Sequence, residues 1–468
     1  MLVRGLKRLV AIIGPLVILA FIGLRFYDKK FTALPSQGRQ WIENIFASGN
    51  GRSQLHTTRP VQQDNLSLPG VSFDQQMLDD ARLSQTHRVV YSASTKDRKF
   101  FPIVLGDEQA INPNIIPHPI LDDTWIIVAQ LQRSEIKTTV WAAELVCNAK
   151  FTDGKLSCTK APTILPIAST VGDSCTGDLA LLNFNIGPHD ARIFYGPRNP
   201  FAVYGSQSSY TCFGQWIMDF RVLIDWGFEP IPMETFRLPT ELHRPLPYSP
   251  VEKNWFIFWD TNHQMYVHYD ILPTRIFAKL EIDGSIGQDI APLSSANDAI
   301  CMAMYMPKLA PELESIHQAT NSLRITLCKR SDPTCQPNDF NTFIMTIFHY
   351  KTFYNFHSLY EPYVLLFQQS LPFSIHAIST KPIWINGRGL PGQGRKPAAL
   401  SSEEFETWDQ TEMLYVTSMS WKQHGQKYDG YVDDIIFLGF GIEDSATGGI
   451  DIVAGDLLQD LGLCSAQL

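Results

Sequence analysis

Short runs of β-type residues recur from His87 onward, separated by turn residues and with almost no segment of helical period. They read TWIIVAQL, TTVWAAELVC, LALLNFNI, ARIFYG, NPFAVYG, WIMDFRVLI, NWFIFWD, QMYVHYDI, RIFAKLEI, LRITLC, FIMTIFHY, YVLLFQQ, FSIHAIS, MLYVTSMSW and DIIFLGFGI. Runs of β-branched and aromatic residues bounded by Gly, Pro, Asn and Asp are strands, so the spacing predicts an all-β domain over residues 86–468. Helices are expected only at SSEEFETW and at the C-terminal DLLQDLGL. A β domain this long must dispose of its sheet edges by closure or radial repetition, and a propeller of four-stranded blades does so. The runs fit five blades with some strands unseen, but no WD or kelch repeat marks them, and periodicity leaves a large sandwich or paired β domains open.

The N-terminus has a different character. Leu9 to Leu24 is uncharged and is bracketed by Arg4, Lys7 and Arg8 on one side and Arg25 on the other. At 1.5 Å per residue it covers about 24 Å, enough for a thin membrane with Arg25 snorkelling. The residues that follow, Arg-Phe-Tyr-Asp-Lys-Lys, make a poor cleavage site, which favours an uncleaved anchor over a signal peptide. Residues 1–30 are therefore expected to be a cytoplasmic tail and transmembrane anchor, and 31–85, rich in Gln, Ser, Gly and Asn, a stem. The domain beyond would be lumenal, in a type II protein of the Golgi or endoplasmic reticulum.

Charge and cysteine content agree with that division. Of 38 basic and 47 acidic side chains, residues 1–30 hold six and one (+5), leaving 32 and 46 (−14) for the rest. So acidic a body, without basic blocks, excludes nucleic acid as a partner. The eight cysteines form no CxxC or Cys/His ligand spacing, so disulfides are expected rather than a metal cluster. Cys147 with Cys158 and Cys328 with Cys335 are close enough to staple hairpins. The sequon at Asn65 would be glycosylated in the lumen.

Four segments place polar residues where an inner propeller strand would start. They are Asn112-Pro113-Asn114-Ile115-Ile116-Pro117, Gly187-Pro188-His189-Asp190-Ala191-Arg192, Glu252-Lys253-Asn254-Trp255 and Asp429-Gly430-Tyr431-Val432-Asp433-Asp434, the last running on to Gly441-Ile442-Glu443-Asp444. Asp190 and Arg192, two apart on a strand, share a face. Each segment also has a plain structural reading, as a surface ion pair or a strand-edge turn. The GxGxxG at Gly387–Gly392 contains Pro391 and has no helix after it, so it is a loop rather than a phosphate cradle.

In order, NPNIIP, HDARIF, EKNWFIF, YVHYDILPTRIF, FSIHAIS and GYVDDIIFLGFGIED resemble the five-bladed propeller superfamily of β-mannoside phosphorylases and β-1,2-mannosyltransferases, over residues 105–468. It is also similar to fungal secretory-pathway members with an N-terminal anchor. The resemblance implies a catalytic Asp190, with Arg192, Lys253, Asn254 and Asp433 binding substrate, and no metal or cofactor. The departures are Ala191 where the family keeps proline and His189 where it keeps Glu or Tyr. The function so implied is mannosyl transfer to glycans, from a sugar donor. The alternatives are a non-catalytic propeller that binds glycans or glycoproteins, and a glycoside hydrolase or phosphorylase.

Overall fold

The computed structural model describes residues 82–132, 142–226, 236–310, 312–354, 357–395 and 409–464. The expected anchor at Leu9–Leu24, nearly all of the expected stem, Asn65 and the expected helix SSEEFETW lie outside them. No helix among the described residues is long and apolar enough to cross a membrane.

Strands β1 (Arg88–Val90) and β2 (Phe101–Val104) precede an antiparallel meander of β3 (Ala110–Pro117), β4 (Trp125–Leu131), β5 (Glu144–Thr152) and β6 (Lys155–Cys158), which β7 (Thr163–Ile164) extends. A second meander runs β8 (His189–Tyr195), β9 (Pro200–Gln207), β10 (Phe213–Asp219) and β11 (Thr240–Leu242), and a third β12 (Phe256–Trp259), β13 (Met265–Asp270) and β14 (Ile276–Lys279). In the next, β15 (Glu314–Gln318) and β16 (Leu323–Thr326) both pair with the long β17 (Thr342–Tyr354), followed by β18 (His357–Gln368) and β19 (Ile375–Ser379). Strand β20 (Ile383–Ile385) pairs in parallel with β1. After β21 (Leu414–Trp421), β22 (Asp429–Tyr431) joins β16 in parallel, and β23 (Ile435–Ile442) and β24 (Ala446–Val453) complete a meander with β21. Strand β25 (Leu461–Leu463) pairs with β19.

The two ends of this order meet. Strand β2 pairs antiparallel with β24 at Phe101–Pro102 and in parallel with β6 at Ile103–Val104, so the first described strands bridge the last meander to the first. Side chains of the inner strands and the segments beside them close the same circle. Asn114 donates to the Ala191 carbonyl (2.7 Å) and accepts from the Ile193 amide (3.1 Å). Gln215 accepts from the Trp255 amide (3.2 Å), and Ser322 donates to the Ile257 carbonyl (2.7 Å). Asn321 pairs with both backbone groups of Met419, and Thr417 and Ser418 donate to the Pro113 carbonyl. Each buried amide or hydroxyl satisfies backbone that the neighbouring sheet leaves open, which is why polar residues sit in otherwise apolar strands.

The molecule is mostly β, with a nearly closed, propeller-like arrangement of sheets. Most predicted runs are strands, and Asp153–Gly154, both at positive φ, make the tight β5–β6 hairpin that Cys147–Cys158 staples. The Cys328–Cys335 pair is also present, with Cys175–Cys212 and Cys301–Cys464 beside it. Three expectations are corrected. LALLNFNI belongs to a 3-10 helix, Gly177–Phe184, where only Leu182 is buried, so its apolar residues had no sheet face to fill. The C-terminal DLLQDLGL divides between the four-residue helix Ala454–Leu457 and β25. An α-helix at Ser295–Tyr305 was not foreseen; it buries only Asp298 and Cys301, too few for a helical apolar stripe.

Candidate functional site

Two inner strands begin with a bulge. Registers shift between Ile111 and Asn114 in β3 and between His189 and Arg192 in β8. The residues held there, Asn112 (φ 54°) and Asp190 (φ 49°), are left-handed, as is Asn254 (φ 63°) just before β12. Asn and Asp tolerate this region better than other side chains, and bulges next to active sites re-aim a side chain. Here they turn the Asn112 amide onto the Asp190 carboxylate at 2.7 Å. Gly441 permits the approach: a Cβ there would lie 2.5 Å from Asn112 Oδ1.

The backbone beneath Asp190 is gripped from below. Its amide donates to Gln130 Oε1 (2.9 Å), and the next amide, Ala191, donates to Glu144 Oε1 (3.0 Å). Glu144 is fully buried, and burial pushes its carboxyl up to about 8 despite the Ala191 bond. Buried Arg192 donates to the carbonyls of Ala319 and Asp190, both at 2.5 Å, and so holds the strand while leaving its charge beside the carboxylate.

His189, Asp190, Arg192, Lys253, Asn254 and Trp255 line one cavity together with Gly205, Phe213 and Gln215. The expected catalytic residue and three of the four expected substrate-binding residues therefore line the same cavity. Burial alone would raise the Asp190 carboxyl, but Arg192, Lys253, His189 and the Asn112 amide outweigh it and hold it below the usual carboxylate range. Lys253 keeps exposed surface at the cavity mouth. The depth of the surrounding protein still lowers its ammonium, with Asp190 opposing the shift and Arg192 adding to it. Asn254 reaches His317 Nε2 (3.0 Å), which also meets the Tyr415 hydroxyl (2.9 Å). Burial and then Lys253 hold His317 well below the usual imidazole range, so the ring is neutral and is able to accept from the Asn254 amide at Nε2. Lys351 is lowered by burial and by Lys253, which puts a second ammonium within reach of the same field.

Asp433 lies elsewhere, a correction to its expected place. It accepts from the Arg330 and Ser331 amides and borders a separate surface groove with Asp122, Asp123, Trp125 and His424. The eight-residue strand β23 separates it from the site end, roughly 25 Å at about 3.3 Å per residue. The acids that close the same motif, Glu443 and Asp444, occupy the other end: β23 pairs Gly441 with Tyr415. Glu443 meets His357 Nε2 at 3.0 Å. Asp444 has its carboxyl raised by burial and then by Asp190 and Glu443. Sequence reading therefore missed Asp444, His317, Tyr415 and Glu144. The lone acid in the apolar run TTVWAAELVC was a visible signal for Glu144; nothing comparable marked His317.

No protein-family model matches this sequence, and no curated protein does. Among solved structures the chain is similar to β-1,2-mannobiose phosphorylase from Listeria innocua, at 10% identity over 79% of this chain and 98% of that one, with a TM-score of 0.42. It is also similar to a glycosyl hydrolase from Bacteroides ovatus (11% identity, 78% and 92% covered, TM-score 0.35). A third is the α-L-arabinanase of Cellvibrio cellulosa (9%, 73% and 91%, TM-score 0.33). With TM-scores below 0.5, the fold rests on the sheets described above.

Proposed function

We propose that the meanders are the blades of a five-bladed β-propeller and that its axial cavity transfers mannosyl groups on glycans, in a membrane-anchored protein whose domain faces the lumen of the Golgi or endoplasmic reticulum. The observation that carries this reading is one carboxylate, Asp190, held below its ordinary range and facing two cations in the cavity, Lys253 and Arg192. A carboxylate ionised at neutral pH is a base. It takes the proton of the attacking acceptor hydroxyl, directly or through a sugar hydroxyl, as that oxygen bonds to the anomeric carbon. The bond from that carbon to the donor oxygen breaks, and its electron pair leaves on a phosphate. Lys253, with Arg192 and Lys351 behind it, stabilises that charge.

Incubating the protein with GDP-mannose or mannose-1-phosphate and β-mannoside acceptors tests this. Product is expected with the wild type, and a loss of about a thousandfold in kcat with Asp190→Asn, its folding unchanged. Wild-type turnover in that variant would falsify the assignment, and glycan binding without turnover in the native protein would select a non-catalytic propeller.

Asp444 favours a second reading, phosphorolysis or hydrolysis. Its raised carboxyl, within the field of Asp190, makes it the candidate for the second acid those reactions need. Release of mannose, or of mannose-1-phosphate with phosphate present, would identify it.

A further inference from the structure

A second groove, of about 490 Å³, adjoins the cavity. It is lined by Ser174, Thr176, Tyr210, Cys212, Tyr248 and Pro250, among others. Two stretches of chain wall both spaces. Cys212 faces the groove and Phe213 the cavity; Pro250 faces the groove and Lys253 the cavity. These stretches are joined, since the Phe213 amide donates to the Pro250 carbonyl (3.2 Å) and the Glu252 amide to the Phe213 carbonyl (2.8 Å). Three residues of chain from Pro250 to Lys253 span at most about 10 Å.

The groove presents aromatic rings on a stiff support. Tyr210 stacks one face on His243 (centroids 4.6 Å, 21°), has Tyr248 tilted beside it at 5.9 Å, and remains 46% exposed. Its turn is locked from below. Buried Ser208 accepts from the Tyr210 and Thr211 amides (both 2.9 Å), and buried Glu241 accepts from Ser208 and from the Ser209 amide. Thr211 donates to the Ser249 carbonyl (2.7 Å), tying Tyr210's turn to Tyr248's, and Cys175–Cys212 fastens it to the segment bearing the exposed Ser174 and Thr176. An exposed aromatic on so fixed a backbone offers a flat apolar face at little entropic cost, flanked by hydroxyls. That matches a pyranose, with an apolar face and a rim of hydroxyl groups.

We infer that this groove is a distal subsite for an oligosaccharide whose reacting end lies in the cavity, with Tyr210 and Tyr248 stacking on a sugar ring removed from the reacting one. The inference rests on the carbohydrate reading of the cavity and adds the place where the glycan's sugars beyond the reacting one bind.

The test titrates the full chain with mannose and with β-linked mannotriose by calorimetry, for the wild type, Tyr210→Ala and Tyr248→Ala, with near-ultraviolet circular dichroism to verify folding. Each substitution is expected to weaken mannotriose about tenfold and mannose less than about twofold. Unchanged mannotriose affinity in both variants, an equal loss for both sugars, or no binding of mannotriose overturns the subsite. Tyr-dependent trisaccharide binding without any turnover supports the subsite while removing the catalytic reading. Turnover whose trisaccharide preference ignores both tyrosines does the reverse.

Discussion

Ala191 stands where the family it resembles keeps proline, and its amide shows what the change does. That N–H donates to the buried Glu144, a bond proline lacks the hydrogen to make. Glu144 in turn has its carboxyl raised to about 8 from 4.5 by burial. A raised carboxyl contributes stability that is fully present below the unfolded value, declines as the pH climbs, and is gone above the folded one. For Glu144 that window runs from 4.5 to about 8. Glu144→Gln keeps the acceptor oxygen and removes the titration. The unfolding free energy of the variant, measured by urea denaturation at each pH, should therefore gain on wild type between about pH 5 and pH 8, at up to about 1.4 kcal/mol per pH unit. A gap that stays flat across that range would show that Glu144 is already ionised in the folded protein. Asp190, Arg192 and Lys253 were legible as chemistry-bearing residues because each is a charge at the margin of a β run. Glu144 stood out as a lone acid in an apolar run, but its role was not legible, because that depends on a strand 47 residues away in sequence.

At the scale of elements, the inner strands are held together by side chains as much as by apolar packing. Asn114 serves β3, β4 and β8 at once: it donates to Ala191 (2.7 Å) and Val128 (3.3 Å) and accepts from Ile193 (3.1 Å). Asn114→Ala would strand a buried carbonyl and a buried amide directly beneath Asp190, at a cost of about 2–4 kcal/mol. Urea unfolding should show a lower midpoint at an unchanged slope, and turnover should fall with it, since Asp190 loses its fixed seat. A variant as stable as wild type would mean that water replaces the amide. Strand identity was readable here because β-branched and aromatic runs of this length have few other uses. The errors fell where an apolar run had no sheet to join, as at Leu179–Ile186, or where a helix packs only two side chains inward, as at Ser295–Tyr305.

For the whole molecule, the decisive feature is closure. Strand β2 lies on β24 and β6, so neither the first nor the last meander folds with its edge covered unless the chain's distant parts meet. The eight cysteines all pair, which suits an oxidising compartment and agrees with the proposed lumenal placement. If Leu9–Leu24 anchors the protein, the full chain should stay in the membrane pellet through carbonate washing and leave it only with detergent. Release by carbonate alone would mean that the run is cleaved or peripheral.

The sequence by itself determined the β character, two of the disulfides, and the cluster Asp190, Arg192, Lys253 and Asn254, because each is written in residues close together along the chain. Tertiary structure decided which end of each strand faces the cavity. That put Asp433 on a separate groove and Glu443 and Asp444 at the other end of β23, brought His317 and Tyr415 to Asn254, and placed Glu144 under Ala191. A strand's two ends carry equally polar residues, so local pattern cannot tell them apart; only the register between β21 and β23 does.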